Sequence, residues 1–315
     1  VSAHPVGDAS TTVGGNRRAM ATAHERAEIL VEALPYIRRF RGQTVVVKFG
    51  GNAMTDPALS KQFAEDVVLM HSVGIRVVVV HGGGPQIGHL LERLGIETEF
   101  RDGLRVTDAA TLDVARMVLE GKVSSEIVAA INVHGDYAVG LSGADAGLIR
   151  AQARDPELGF VGDVDSVNPH ILERLLAEEF IPVISTIGSD DTGQAYNINA
   201  DTVATAIAQA MKAEKLVYLT DVDGLLADVS DPGSLISRID VDSVAAMIGT
   251  GALSGGMIPK ARACIDAVAA GVRSVHMVNG TVPHVLLLEL FTDEGVGTMI
   301  TPSDGLLGPG TDGQR

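Results

Sequence analysis

Thr44-Val45-Val46-Val47-Lys48-Phe49-Gly50-Gly51-Asn52 is the stretch on which the fold turns. A β-branched apolar run that ends on a lysine and opens into two glycines reads as a buried strand. It sets a positive charge beside exposed backbone N–H groups, a place where phosphate binds well. Val77–Val80 is a second such run and opens into His81-Gly82-Gly83-Gly84-Pro85. A second lysine, Lys260, follows the glycine-rich stretch 249–256. Two lysines and three glycine-rich turns point to phosphoryl transfer without a P-loop.

Working outward, strands are expected at 44–48, 76–80, 137–141, 181–185, 215–219 and 274–278. These runs are rich in Val, Ile and Leu and do not alternate strictly, as strands covered on both faces look. Helical patterns lie between them, at 58–73, 85–94, 108–133, 169–178, 200–212, 240–249, 258–270 and 282–290. The alternation implies βαβ units, an α/β fold and a mainly parallel sheet between helix layers. Ligands in such sheets sit at the carboxyl ends of strands. Lys48, Gly82–Gly84, Ser142–Gly143, Ser185 and Thr220–Asp223 all fall there, so one sheet edge is expected to hold them. A lobe boundary is expected near 212–215.

Composition narrows the classes. The 315 residues are 46% hydrophobic and carry a formal charge of −16. No long Lys/Arg stripe is present, which argues against nucleic acid as a partner. Aromatics are only 3% and tryptophan is absent, so the core must be aliphatic. The single cysteine, Cys264, excludes an intrachain disulfide and suits a reducing, cytoplasmic setting. Its apolar helical neighbourhood makes it a small core residue. No apolar stretch is long enough to span a membrane. Residues 1–20 and 303–315 are small and polar and read as disordered tails. Residues 21–41 read as a separate leader helix, with Ile29, Leu30, Ala33, Leu34, Ile37 and Phe40 on its apolar side and, because of Pro35, a kink expected near residues 31–35. Such a helix packs either on its own domain or on another subunit.

Common alternatives fail on pattern. The chain has no G-x-x-x-x-G-K-[ST] and no G-x-G-x-x-G at a strand–helix turn. His81–Gly84 resembles an esterase oxyanion loop, but the nearest nucleophile elbow, Gly140-Leu141-Ser142-Gly143-Ala144, lacks its last glycine. No Cys/His set has zinc spacing. What remains is a set of separated elements. Gly82–Gly84 either present amides to an oxyanion or simply make a tight turn. Arg105, in what reads as a loop before a helix, suits carboxylate binding or a surface salt bridge. Asn199 reads as an N-cap with Asp201 in the first helical turn, and Asp201 could also hold lysines in place.

Together these residues resemble the amino acid kinase family, and within it the acetylglutamate-phosphorylating branch. The motifs are VVVKFGGNAM (45–54), VVVHGGGPQI (78–87), GLRVT (103–107), YNINAD (196–201), LTDVDGL (219–225) and SGGMIPK (254–260), covering about residues 22–301. The resemblance implies a three-layer αβα sandwich of two lobes, with 42–214 binding acetylglutamate and 215–302 binding ATP with Mg²⁺. It implies that Lys48 and Lys260 stabilise the transferring phosphoryl group and that Asp201 organises both lysines. Gly83, Gly84, Arg105 and Asn197 would bind N-acetyl-L-glutamate. Gly50, Gly51, Thr220, Asp221, Asp223 and Gly224 would serve the nucleotide. A carboxylate acceptor is already ionised near neutral pH and needs no general base, so catalysis rests on alignment and electrostatics.

The resemblance extends to the arginine-inhibited branch, through the leader helix and the segment 286–298. It implies arginine as inhibitor, bound by His276, Glu289 and Gly295 with Tyr36 nearby, and a homo-hexamer built as a trimer of dimers. Glu289 could pair with a guanidinium or be a solvated helix residue. A PII-type protein accompanies some relatives, and no residue here marks a surface for one. Two other readings stay open: a kinase for acetylaminoadipate, one methylene longer, and a non-catalytic arginine sensor on a kinase scaffold.

Overall fold

Val45, Val46 and Val47 are all fully buried, as a strand covered on both faces requires. The structure, a computed structural model, describes residues 23–303 apart from 102, 229, 254–256 and 293–294. The tail 1–20, residues 304–315 and part of the glycine-rich approach to Lys260 lie outside the described residues.

The strands are β1 (Thr44–Phe49), β2 (Arg76–His81), β3 (Phe100–Arg101), β4 (Leu104–Arg105), β5 (Ala138–Ser142), β6 (Ile149–Ala153) and β7 (Val161–Val167). They continue with β8 (Ile181–Ser185), β9 (Ile187–Ser189), β10 (Ala195–Ile198), β11 (Lys215–Thr220), β12 (Arg238–Asp240), β13 (Ser274–Asn279) and β14 (Thr298–Thr301). The helices are α1 (Ala23–Phe40), α2 (Pro57–Ser72), α3 (Gly84–Leu94), α4 (Ala109–Arg116), α5 (Ser124–Asn132) and α6 (His170–Ala177). After them come α7 (Ala200–Ala210), α8 (Val241–Gly249), α9 (Met257–Ala269) and α10 (Val285–Phe291).

The main sheet has the order β12-β14-β13-β11-β1-β2-β8-β5. All its pairs are parallel except β13 with β14. Strands before residue 214 lie on one side of the β1–β11 seam and later strands on the other. Val45, Val47, Val77 and Val79 face a core shared with α2, α3, α4, α5 and α10. Val46, Val78 and Val80 face a second core with α6, α7, α8 and α9. The period-two alternation of side chains thus fills both layers of an αβα sandwich.

The six expected strands are present within a residue or so. Sequence reading missed β3, β4, β12 and β14, and also β6, β7, β9 and β10, which close into a small barrel between β5 and α7. β6 alternates, with Arg150 exposed between buried Ile149 and Ala151, and β10 alternates too, while β7 is buried only at its start. A search tuned to unbroken apolar runs passes over such strands. Arg105, expected in a loop, lies in β4, paired antiparallel with β3. The helix expected at 108–133 is continuous but widens into a π turn at Met117–Val123. α1 runs through Pro35. Phe40 is buried at its end, whereas Ile29, Leu30 and Val31 are exposed.

Candidate active site

Lys48 stands one residue from the end of β1, at the carboxyl edge of the parallel sheet. Its Nζ lies 3.1 Å from Asp201 Oδ1. Asp201 is held there by the start of α7. The Asn199 side-chain oxygen accepts the N–H groups of Asp201 (2.8 Å) and Thr202 (3.2 Å), an N-cap that fixes the turn carrying the carboxylate. Capping and ion pairing, alternatives in the sequence, are therefore both present. The Lys48 side chain is largely withdrawn from water, so removing Asp201 would leave a charge without compensation. A Cβ on Gly50 would lie 2.8 Å from Lys48 Nζ, so a side chain there would push the ammonium aside.

Lys48, Gly50 and Gly51 open onto a cleft of about 540 Å³, walled also by Gly83, Gly84, Arg105 and Asn197. The guanidinium of Arg105 is pinned by bonds to Gly84 O (3.1 Å) and Thr98 Oγ1 (2.7 Å) and lies over the Phe100 ring. Burial pulls its pKa below the ordinary value. A guanidinium stays charged in proteins, so the cleft keeps a fixed, oriented cation. Asn197 Nδ2 is 3.5 Å from Thr107 Oγ1. One cation at each end, with glycine backbone between, suits a substrate carrying two separated anionic groups.

The remaining candidates do not line this cleft. Lys48 pairs with Tyr218, so Thr220 at the end of β11 stands level with Gly50. Thr220 Oγ1 bonds Val222 O, and Asp223 accepts from Asn279 Nδ2 at 2.8 Å, which shapes the turn through Asp221 and Gly224. Lys260 rides on the first turns of α9, which packs on α7. Burial pushes the Cys264 thiol up, Asp201 adds to this and Lys260 opposes it, so both charges reach one buried sulfur. The structure thus joins Lys48 to Asp201 and sets Lys260 on the neighbouring helix.

A second cluster lies at the opposite edge of the sheet. His276 Nδ1 donates to Glu289 Oε1 at 2.5 Å, and Ser274 Oγ is 3.2 Å from His276 Nε2. Glu289 also accepts the Val296 N–H at 3.2 Å, and a Cβ on Gly295 would lie 3.8 Å from its carboxylate. The alternative of a solvated Glu289 is overturned, since the residue is buried. Burial raises its pKa, but the His276 bond and Lys215 outweigh that and hold it below the usual range. Burial lowers the pKa of His276. Lys215, at the start of β11, was missed by sequence reasoning. Burial pulls it down to about 8, Glu289 opposes that, and its ammonium lies 5.0 Å from the Phe40 ring centre. The one signal for it was a lysine opening an otherwise apolar strand. Tyr36 packs against the core at the α1 end of this region.

Among the described residues no helix is long and apolar enough to cross a membrane. No group of three or more His, Cys, Asp or Glu side chains there could hold a metal ion.

Comparison with known proteins agrees with this architecture. The acetylglutamate kinase of Nostoc sp. is 54% identical over 288 residues, covering 91% of this chain and 96% of that protein. That of Halorhodospira halophila is 55% identical over 287 residues, 87% and 95% of the two chains. The N-acetylglutamate synthase of Neisseria gonorrhoeae, solved with coenzyme A and N-acetyl-glutamate, superposes with a TM-score of 0.78 at 26% identity; it matches 88% of this chain, which spans 63% of the synthase. Carbamate kinase from Giardia lamblia shares the fold, with a TM-score of 0.61 at 18% identity. The family model described as "Amino acid kinase family" matches residues 43–279, and with these relatives it shows that the chain belongs to the amino acid kinase family.

Proposed function

We infer that this chain is an acetylglutamate kinase, moving the γ-phosphoryl group of ATP onto the side-chain carboxylate of N-acetyl-L-glutamate to give an acyl phosphate. The observation that carries the reading is the Lys48–Asp201 pair facing a glycine-walled cleft that also holds Arg105. Relatives named acetylglutamate kinase across about nine-tenths of the chain supply the substrate.

In this reading residues 42–214 hold acetylglutamate and 215–302 hold ATP. Arg105 and Asn197 fix one carboxylate and the acetylamino group, and the amides of Gly83 and Gly84 meet the reacting end. Lys48 and Lys260 neutralise charge on the phosphoryl oxygens, and Asp201 keeps the lysines aimed. Gly50 and Gly51 let the phosphate chain approach β1. Thr220, Asp221, Asp223 and Gly224 run beside the nucleotide. Mg²⁺ would come with the nucleotide as part of the substrate and would offset phosphate charge there. No proton need be removed from the acceptor, so the residues align and neutralise without acting as a base.

The His276–Glu289–Lys215 cluster is read as the arginine site, with Gly295 and Tyr36 at its rim. Glu289 is a buried carboxylate suited to a guanidinium. A related synthase has been solved with L-arginine. The exposed apolar start of α1 is read as the contact that builds a homo-hexamer. Trapping the acyl phosphate with hydroxylamine tests the function. Hydroxamate from ATP and acetylglutamate, reduced by added arginine, is expected. Product from acetylaminoadipate alone would move the chain to the longer substrate, and no product from either would leave a binding protein.

A further inference from the structure

His81 ends β2 immediately before the glycine loop and is completely buried. Its Nδ1 lies 3.0 Å from the carbonyl oxygen of Gly82. A carbonyl only accepts, so Nδ1 must carry the proton and Nε2 must be bare in the neutral ring. Nε2 has no protein partner among the described residues, and neither has Ser185 Oγ, which is also buried. The two are linked by register: β2 and β8 are parallel neighbours with His81 opposite Ser185. In-register residues on adjacent strands put their side chains on one face, here the face of Val79 and Val183. Ser185 thus stands beside the ring on the same face of the sheet, and its Oγ makes no hydrogen bond to Nε2.

The consequence falls on the next peptide. In a trans peptide the carbonyl of one residue and the N–H of the next point in opposite directions. With the Gly82 carbonyl drawn inward to His81, the Gly83 N–H is turned outward, and Gly83 walls the cleft. Among the described residues that N–H has no acceptor. A Cβ on Gly83 would lie 2.7 Å from Leu119 Cδ2, so a side chain there would crowd Leu119.

We propose that His81, held as its Nδ1–H tautomer with Ser185 behind it, is a positioning residue that locks the Gly82–Gly83 peptide so that the Gly83 N–H is aimed at the acceptor carboxylate. The ring touches no substrate; it acts through the peptide it orients. Burial lowers its pKa to about 4, with the Gly82 bond opposing, so the ring stays neutral through the working range. The role rests on reading the cleft as the acetylglutamate site.

The test combines kinetics with a direct view of the ring. His81→Leu is expected to lower kcat/KM for acetylglutamate about tenfold or more, the worth of one hydrogen bond to a charged group, while KM for ATP stays nearly unchanged. His81→Asn, whose amide nitrogen takes the place of Nδ1, is expected to restore most of the loss. His81→Gln, which offers its amide at the Nε2 position, is expected not to. Equal loss in the Asn and Leu variants, or a loss shared by ATP, overturns the proposal. Independently, nitrogen-15 NMR of labelled histidines, assigned by the His81→Asn spectrum, should show protonated Nδ1 and bare Nε2 at neutral pH. The opposite tautomer overturns the proposal. A wild-type protein inert towards acetylglutamate would instead overturn the assigned function, and the ring spectrum would still decide the tautomer.

Discussion

Lys48 and Lys215 stand on neighbouring strands of one sheet, and the sheet treats them in opposite ways. Val45 pairs with Lys215, and Lys48 pairs with Tyr218, three residues or about 10 Å further along. Lys48 points into an open cleft at the carboxyl edge, with one carboxylate and a ring of glycines around it. Lys215 is sealed at the other edge among Phe40, Arg39, Glu289 and His276. The first arrangement leaves a cation free to meet ligand charge. The second holds a buried His276–Glu289 pair with Lys215 nearby, so a ligand entering there must exchange that bond. A parallel sheet brings catalysis to its carboxyl edge and leaves the amino edge free for control.

The strongest way to break the comparison is Lys48→Ala. Activity should fall by about a thousandfold, the scale for losing a preorganised charge-stabilising donor. Asp201→Asn should cost less alone and add little to Lys48→Ala, because the two act as one unit. Additive losses would separate the pair. At the sealed edge, Glu289→Gln should weaken inhibition by arginine about tenfold or more, with a much smaller change in uninhibited turnover than at Lys48. If turnover falls as far as with Lys48→Ala, the division of the two edges is wrong.

A smaller effect concerns Asp66 on α2, buried and bonded at 2.6 Å to His284, the residue before α10. Burial raises its pKa to about 6, with His284 opposing. A carboxyl whose folded pKa is raised stabilises the fold at low pH, and that contribution is lost as pH climbs through about 6. Asp66→Asn removes this dependence. Its melting temperature should therefore gain on the wild type between pH 5 and pH 7.5, by the equivalent of about 1–2 kcal/mol. A difference that shrinks over that interval would refute the sign. Least affected should be Ser274→Ala, which removes one neutral hydrogen bond to His276 and should cost about 1 kcal/mol in denaturant titration.

The two edges were not equally legible in the sequence. At the carboxyl edge the signals are local: Val45–Lys48 is buried without alternation, and Gly50 follows because a side chain would strike the ammonium. Asn199 capped α7 as its spacing foretold. The barrel of β6, β7, β9 and β10 was hidden because none of its strands is an unbroken apolar run: β6 and β10 alternate and β7 is broken by polar residues. Lys215 was hidden for another reason. Its company comes from α1, β13 and α10, elements far apart in the chain, and only packing brings them together. His276 and Glu289 were found through motif position, yet their bond to each other could not be read from a spacing of thirteen residues.

Cys264 gives this molecule a clock. It is the only thiol in the chain and is fully buried on α9. A chromogenic disulfide reagent can reach it only when the core around α9 opens, so under excess reagent the labelling rate counts those openings. Asp201 rides on α7 and Lys260 on α9. A nucleotide that draws the two charges together should slow the clock, and no engineered label is needed to hear it tick.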